Sequence, residues 1–254
     1  MSDEKSLKYN EPWILQRADP YVYRHTDGSY YFTASVPAYD GIVLRRAGTL
    51  AELSGAEEVM VWKKHESGPM SYHIWAPEIH YLFGKWYIYF AGGEAEDIWK
   101  IRPYVLECSG DDPLTDEWVE LGKMKRAAED EFSFEAFSLD ATVFENKGEY
   151  YYVWAEKVGV GKMISNLYIA KMESGNQLKT VQVLLTTPDY DWERKGFWVN
   201  EGPAVIHHDG KMFLTYSASE TGVDYCVGML SIDEDADILD PRLWKKERYP
   251  VLKT

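Results

Sequence analysis

Four stretches of this chain repeat one pattern at intervals of about sixty residues, which restricts the fold to architectures built from repeated units. The stretches are "ADPYVYRHTDGSYYFTAS" (18–35), "WAPEIHYLFGKWYIYFAGG" (75–93), "LDATVFENKGEYYYVWAE" (139–156) and "NEGPAVIHHDGKMFLTYSAS" (200–219). Each holds a short apolar strand, a turn ending in glycine and an aromatic-rich strand. Gly28, Gly84, Gly148 and Gly210 close the turns, at spacings of 56, 64 and 62 residues. Glycine reaches positive φ without a steric penalty, as tight hairpins require. A third β-like run follows each hairpin ("GIVLRRA", "PYVLECS", "NLYIAKM", "DYCVGML"), and then a fourth ("VMVWKK", "EWVELGK", "VQVLLTT", "LWKKER"). No amphipathic helix separates the units. Four strands per sixty residues predict an all-β chain folded as a β-propeller, with radial blades whose innermost strands line a central channel.

At 254 residues the chain suits one domain, read as a single propeller over residues 1–254. The formal charge of -15, from 42 acidic against 27 basic residues, disfavours nucleic acid or an anionic membrane as partner. No 18-residue apolar run is present. The start "MSDEKSLKYN" lacks the basic segment and apolar stretch of a secretory signal, so the expected location is cytoplasmic. Cys108 and Cys226 both lie in apolar strand-like runs and read as buried reduced thiols. Neither a CxxC nor an HxxxH pair suggests a zinc site, and no cofactor is expected for the chemistry. His73 and His80 lack partners at metal-ligand spacing and read as packing or surface residues.

The first strand of each repeat ("PYVY", "EIHY", "ATVF", "AVIH") is short and apolar and is expected innermost. Residues at its start then converge on one end of the channel: Asp19, Pro77 with Glu78, Asp140 and Glu201. Pleat alternation after Pro77 turns Glu78 away from the channel in this reading. Clustered carboxylates at a channel mouth cost stability and shift one another's titration, which points to catalysis rather than capping. Two carboxylates in different environments can divide acid and base roles at one glycosidic bond. Acids facing each other across a channel suit the wider separation that leaves room for water and gives inversion.

The motifs "RADPYVY", "HIWAPEIH", "FSLDATVF" and "VNEGPAVI", in this order, resemble glycoside hydrolase family 43 over residues 11–254, with its α-L-arabinofuranosidases closest in character. The resemblance implies inverting enzymes on five-bladed propellers. It implies Asp19 as general base, Glu201 as general acid, and Asp140 as the residue that holds and tunes that acid. The implied function is release of terminal α-L-arabinofuranosyl units from arabinan or arabinoxylan oligosaccharides. The rivals are a β-xylosidase of the same family and a non-catalytic carbohydrate-binding propeller.

Trp75 in "HIWAPE" either walls a sugar pocket or packs between blades, and Trp198, three residues before Glu201, is equally open. Asn166 in "SNLYIA" either binds a sugar hydroxyl or ends a loop. The loops "SVPAYDG", "EAEDIWKIR" and "KMKRAAEDEFSFEA" are long enough to enclose a pocket, which favours exo action. About four blades are legible in the sequence, whereas the family has five. The family's "GPGH"-like motif, near a channel cation or water, has no match here. The expectation is a C-terminally incomplete propeller whose exposed blade edges invite pairing with another chain, a homo-oligomer included.

Overall fold

A computed structural model describes residues 12–160 and 162–253. The first blade comprises β1 (Ala18–Arg24), β2 (Tyr30–Ser35), β3 (Gly41–Ala47) and β4 (Val59–Lys63), and the second β5 (Tyr72–Leu82), β6 (Lys85–Glu94), β7 (Asp97–Cys108) and β8 (Val119–Lys123). Each is a four-stranded antiparallel sheet in sequential order. The third blade holds β9 (Ser138–Asn146), β10 (Glu149–Val160) and β11 (Lys162–Ser174), closed by β12 (Gln177–Leu178) and β13 (Val183–Thr186) on the outer side of β11. The fourth holds β14 (Trp198–His208), β15 (Lys211–Ala218) and β16 (Cys226–Asp233), with β17 (Lys245–Lys246) and β18 (Leu252–Lys253) pairing β16. Only three short 3-10 turns, at Ala51–Gly55, Asp191–Glu193 and Pro241–Leu243, interrupt the strands among the described residues.

Three of the repeat turns are two-residue hairpin loops: Phe83-Gly84, Lys147-Gly148 and Asp209-Gly210 all have positive φ at both positions, from 49° to 78°. That geometry matches the right-handed twist of the flanking strands. The first turn is longer and has positive φ only at Gly28 (91°).

Each space between consecutive blades is filled by its own apolar cluster. Ile42, Leu44 and Trp62 meet Ile79, Trp86 and Ile88 between the first two blades. Tyr89 and Val105 meet Tyr152, Trp154 and Met172 between the second and third. Val153, Leu167 and Ile169 meet Met212, Leu214 and Leu230 between the third and fourth. β6, sandwiched by neighbours on both faces, is buried from Trp86 to Gly93, whereas β15 alternates buried and half-buried residues. The difference follows from covering one face or two. Cys108 and Cys226 are buried and unpaired.

The blades share one irregularity that positions the site. Ala18 pairs with Ser35 and Tyr21 with Thr33, so three steps on the inner strand face two on its neighbour. The same one-residue bulge separates Trp75 from Glu78, Leu139 from Thr142, and Glu201 from Ala204. Its first residue lies in the left-handed region each time: Asp19 (φ 50°), Ala76 (45°), Asp140 (51°) and Gly202 (56°). Such bulges bend a strand and re-aim its side chains.

This register corrects two sequence expectations. Glu201 does not occupy the position of Asp19 and Asp140; it precedes the bulge and matches Ala18, Trp75 and Leu139. Glu78 is not turned outward. The extra residue before it breaks simple alternation, and its carboxylate reaches the channel, 2.9 Å from Nε2 of His80.

The third and fourth blades are also joined directly. β13 pairs β11 only along residues 167–169, after a register shift, which leaves the start of β11 open. There β14 pairs in parallel, Ile164 with Trp198 and Ser165 with Val199, and this join forms one wall of the cavity described next.

Candidate active site

A cavity of about 530 Å³ opens at the channel end where the inner strands begin. Asp19 of β1, Asp140 of β9 and Glu201 of β14 all line it. A second cavity, of about 340 Å³, continues down the channel and shares Asp19, Asp140 and Tyr225 with the first. The sequence-inferred acids thus meet at one place, contributed by three blades.

The bulges connect these acids to neighbouring backbones. The Gly202 N–H donates to Oδ2 of Asp140 at 3.1 Å, tying the third blade's acid to the fourth blade's bulge. The Ser35 hydroxyl donates to Oδ2 of Asp19 at 2.6 Å and accepts from the Ala76 N–H at 2.8 Å, making the matching link between the first two blades. Asp tolerates left-handed φ better than most side chains, because its short carboxylate bonds locally. Glu201 is half-buried, and its Oε1 accepts a hydrogen bond from the Tyr225 hydroxyl at 3.0 Å.

Burial is the largest influence on both Asp140 and Glu201, and it pushes both carboxyls up. Repulsion from Glu201 and Asp19 adds to the rise at Asp140, against the Gly202 N–H, which favours its charged form. At Glu201 the Tyr225 hydroxyl acts downward and Asp19 upward, while the Lys157 ammonium also favours ionisation. Groups this closely coupled titrate as a unit, and the unit keeps its last proton to higher pH than an isolated carboxyl would.

A raised folded-state value means that, just above the ordinary carboxyl range, the folded chain holds a proton the unfolded chain has lost. Stability therefore falls as pH rises through that window, and the whole cost is present above it. Asp140→Asn removes the charge and can still accept from Gly202. The variant is expected to melt higher at pH 8, by about 2–4 °C for each kcal/mol relieved, with the gain vanishing near pH 3.5. An equal shift at both pH values, read by calorimetry, would contradict this origin of the cost.

Of the expected sugar contacts, Trp75 and Trp198 both line the cavity. The His73 ring lies 4.2 Å from Trp75 (centroid distance), and the Arg194 guanidinium sits 4.8 Å over Trp198. Asn166 is placed differently. It is buried, its Nδ2 donates to the Tyr168 hydroxyl at 3.2 Å, and it does not line the cavity. Its neighbour Ser165 does, because successive strand residues point to opposite faces. The sugar-contact reading of Asn166 is therefore replaced by a packing one.

Of the loops expected to enclose a pocket, the first supplies Tyr39 to its wall; the second is instead the tight turn from β6 into β7, whose Trp99 lines the cavity, and Phe137 follows the third. Trp99 and Phe197, both in the cavity wall, are each 61% exposed and leave aromatic surface open to solvent. Sequence reading missed Lys157 and Tyr225, both in the wall beside Glu201. Lys157 lies in β10 just beyond the stretch read for its aromatics, and Tyr225 directly precedes β16, in a run read only as "DYCVGML".

His80 is buried between Glu78 and the Tyr21 hydroxyl, 3.4 Å from its Nδ1. Among the described residues no three His, Cys, Asp or Glu side chains converge as a metal-ligand set.

Comparison with known proteins agrees with this geometry. An extracellular exo-α-(1→5)-L-arabinofuranosidase of Streptomyces avermitilis is 48% identical over 98% of the chain, and one of Streptomyces chartreusis 47% identical over 96%. The chain spans 50% of the first relative's length and 72% of the second's. The crystal structure of an α-L-arabinofuranosidase from Lactobacillus brevis superposes with a TM-score of 0.87 at 51% identity, over 96% of this chain and 76% of that one. The names of the Streptomyces relatives overturn the cytoplasmic location, an expectation that rested only on the first ten residues. Residues 9–254 match the description Glycosyl hydrolases family 43. With that match over nearly the whole sequence, on a propeller whose inner strands bring three acids to one cavity, the chain belongs to glycosyl hydrolase family 43.

Proposed function

We propose that this chain is an exo-acting glycosidase that releases terminal α-L-arabinofuranosyl units from arabinan or arabinoxylan oligosaccharides with inversion. The observation that carries the reading is the meeting of Asp19, Asp140 and Glu201 on one aromatic-walled cavity. Its volume falls within the roughly 300–1,000 Å³ usual for small-molecule sites. Tyr39, Trp75, Trp99, Phe137 and Trp198 in its wall offer apolar faces to a sugar ring. The names of the relatives favour the arabinofuranoside, α-1,5-linked, among the sugars this family's chemistry suits.

In this reading Asp19 takes a proton from a water as its oxygen bonds the anomeric carbon. The glycosidic C–O bond breaks, its electron pair passes to the leaving oxygen, and Glu201 gives that oxygen a proton. Asp140, half-buried beside Glu201, keeps the proton on the pair until the bond breaks.

The test is arabinose release from 4-nitrophenyl α-L-arabinofuranoside, with the matching β-D-xylopyranoside and Glu201→Ala as controls. Release from the arabinofuranoside by the wild type alone is the expected result. Faster release from the xyloside would make the chain a β-xylosidase. Binding of arabino-oligosaccharide without release, by a folded protein, would make it a carbohydrate-binding propeller.

A further inference from the structure

Glu201 has two carboxyl oxygens, and its surroundings treat them differently. Oε1 accepts the Tyr225 hydroxyl at 3.0 Å. No other protein hydrogen bond engages this carboxyl among the described residues. Ser217, opposite Glu201 in the β14–β15 register, lines the channel cavity together with Tyr225. The phenol's one proton is donated to Glu201. Tyr225 lines both channel cavities and so stands between the pocket and the channel below it.

We infer that Tyr225 is a positioning residue for the general acid: its hydroxyl holds Oε1 of Glu201 and leaves Oε2 as the oxygen that carries and delivers the proton. A carboxylic acid accepts well at its carbonyl-type oxygen and poorly at its hydroxyl oxygen. A donor fixed on Oε1 thus selects which oxygen bears hydrogen. During bond breaking the Oε2–H bond opens and the leaving oxygen gains that proton together with the electron pair of the glycosidic bond. The new carboxylate is then held by the same phenol, in a charge-assisted bond that strengthens as charge develops. Burial raises the Tyr225 phenol above its ordinary range, so it remains a donor at every working pH.

The charged and titratable groups facing Glu201 come from four elements. Asp19 of β1 and Asp140 of β9 oppose its ionisation, whereas Lys157 of β10 and Tyr225, just before β16, favour it. Among the described residues Lys157 is the one cationic side chain in the cavity wall, and its ammonium sits 3.8 Å over the Phe137 ring.

The inference rests on the hydrolytic reading above, and the test separates the two. Tyr225→Phe is compared with wild type on α-1,5-arabinobiose, whose sugar alkoxide needs a proton to leave, and on 4-nitrophenyl α-L-arabinofuranoside, whose phenolate leaves with little help. The expected result is a kcat loss of about tenfold to a hundredfold on the disaccharide, with KM and aryl-glycoside turnover little changed. The alkaline limb of the disaccharide profile moves to higher pH, because a donor to the carboxylate form has been removed. Equal losses on both substrates would reduce Tyr225 to a structural residue and overturn the inference. If the wild type releases arabinose from neither substrate, the hydrolytic reading fails. The Tyr225 contact is then decided by ¹³C NMR titration of the labelled Glu201 carboxyl, identified by its loss in Glu201→Gln. An upward shift in Tyr225→Phe supports the contact, and an unchanged titration overturns it.

Discussion

Glu201→Gln is expected to lower oligosaccharide turnover by about 10²- to 10⁴-fold while the protein stays folded, and Asp19→Asn is expected to do the same. Glutamine fills the space of the carboxyl and accepts from Tyr225 as before, but it has no acidic proton to give. Asparagine is the better probe at position 19, because that residue has φ of 50°. Alanine there adds a backbone cost on the order of 1–2 kcal/mol to any catalytic effect, whereas Asn adopts this conformation readily and keeps the bond from Ser35. The two losses should differ in kind. Without Glu201, an aryl glycoside with a good leaving group recovers much of its rate; without Asp19 it does not, because activation of water is lost for every substrate. Steady-state kinetics on both substrates, with far-UV circular dichroism and melting curves as fold controls, makes the measurement. Wild-type turnover by either variant on every substrate would remove the role assigned to that residue.

The second large effect lies outside the cavity. Glu193, in the turn ahead of β14, is fully buried. It is held by Lys246 Nζ at 2.8 Å, the Tyr216 hydroxyl at 2.9 Å, Asn200 Nδ2 at 3.0 Å and the backbone N–H groups of Asp189 and Tyr190 at 2.7 and 2.8 Å. Lys246→Met leaves a buried carboxylate without its counter-charge, at a cost of about 3–5 kcal/mol. The expected fall in Tm is about 6–20 °C for a chain of this size. The double variant Glu193→Gln, Lys246→Met should recover part of the loss, because a neutral amide needs no counter-charge. If the single and double variants melt together, lost packing rather than charge is the cause. Asn200 directly precedes Glu201, so this ion pair also anchors the strand that carries the proposed acid. A fall in turnover at temperatures where the single variant remains folded is the accompanying expectation.

The blades themselves were legible in the sequence. Four glycine-ended turns at a spacing near sixty residues, each between an apolar and an aromatic-rich strand, admit few folds. The structure places all four glycines at positive φ as the turns require. Asp19, Asp140 and Glu201 were legible too, because each stands at the start of an inner strand and such starts converge in a propeller. Their equivalence was not. Alignment by residue type put Glu201 level with the two aspartates, whereas the shared bulge puts Gly202 there and sets Glu201 level with Trp75. A bulge is one unpaired residue defined by a neighbouring strand, and its own sequence does not announce it. The same blindness turned Glu78 outward and gave Asn166 the face that belongs to Ser165.

Local order was thus settled by the chain alone, since turn geometry and the two-residue strand period act between residues close in sequence. The site's electrostatics were settled only on assembly. Asp140 meets the Gly202 N–H from 62 positions away, and Tyr225 reaches Glu201 from 24. Such contacts have no periodicity to read, and burial, the largest influence on both carboxyls, exists only once the blades have closed around them.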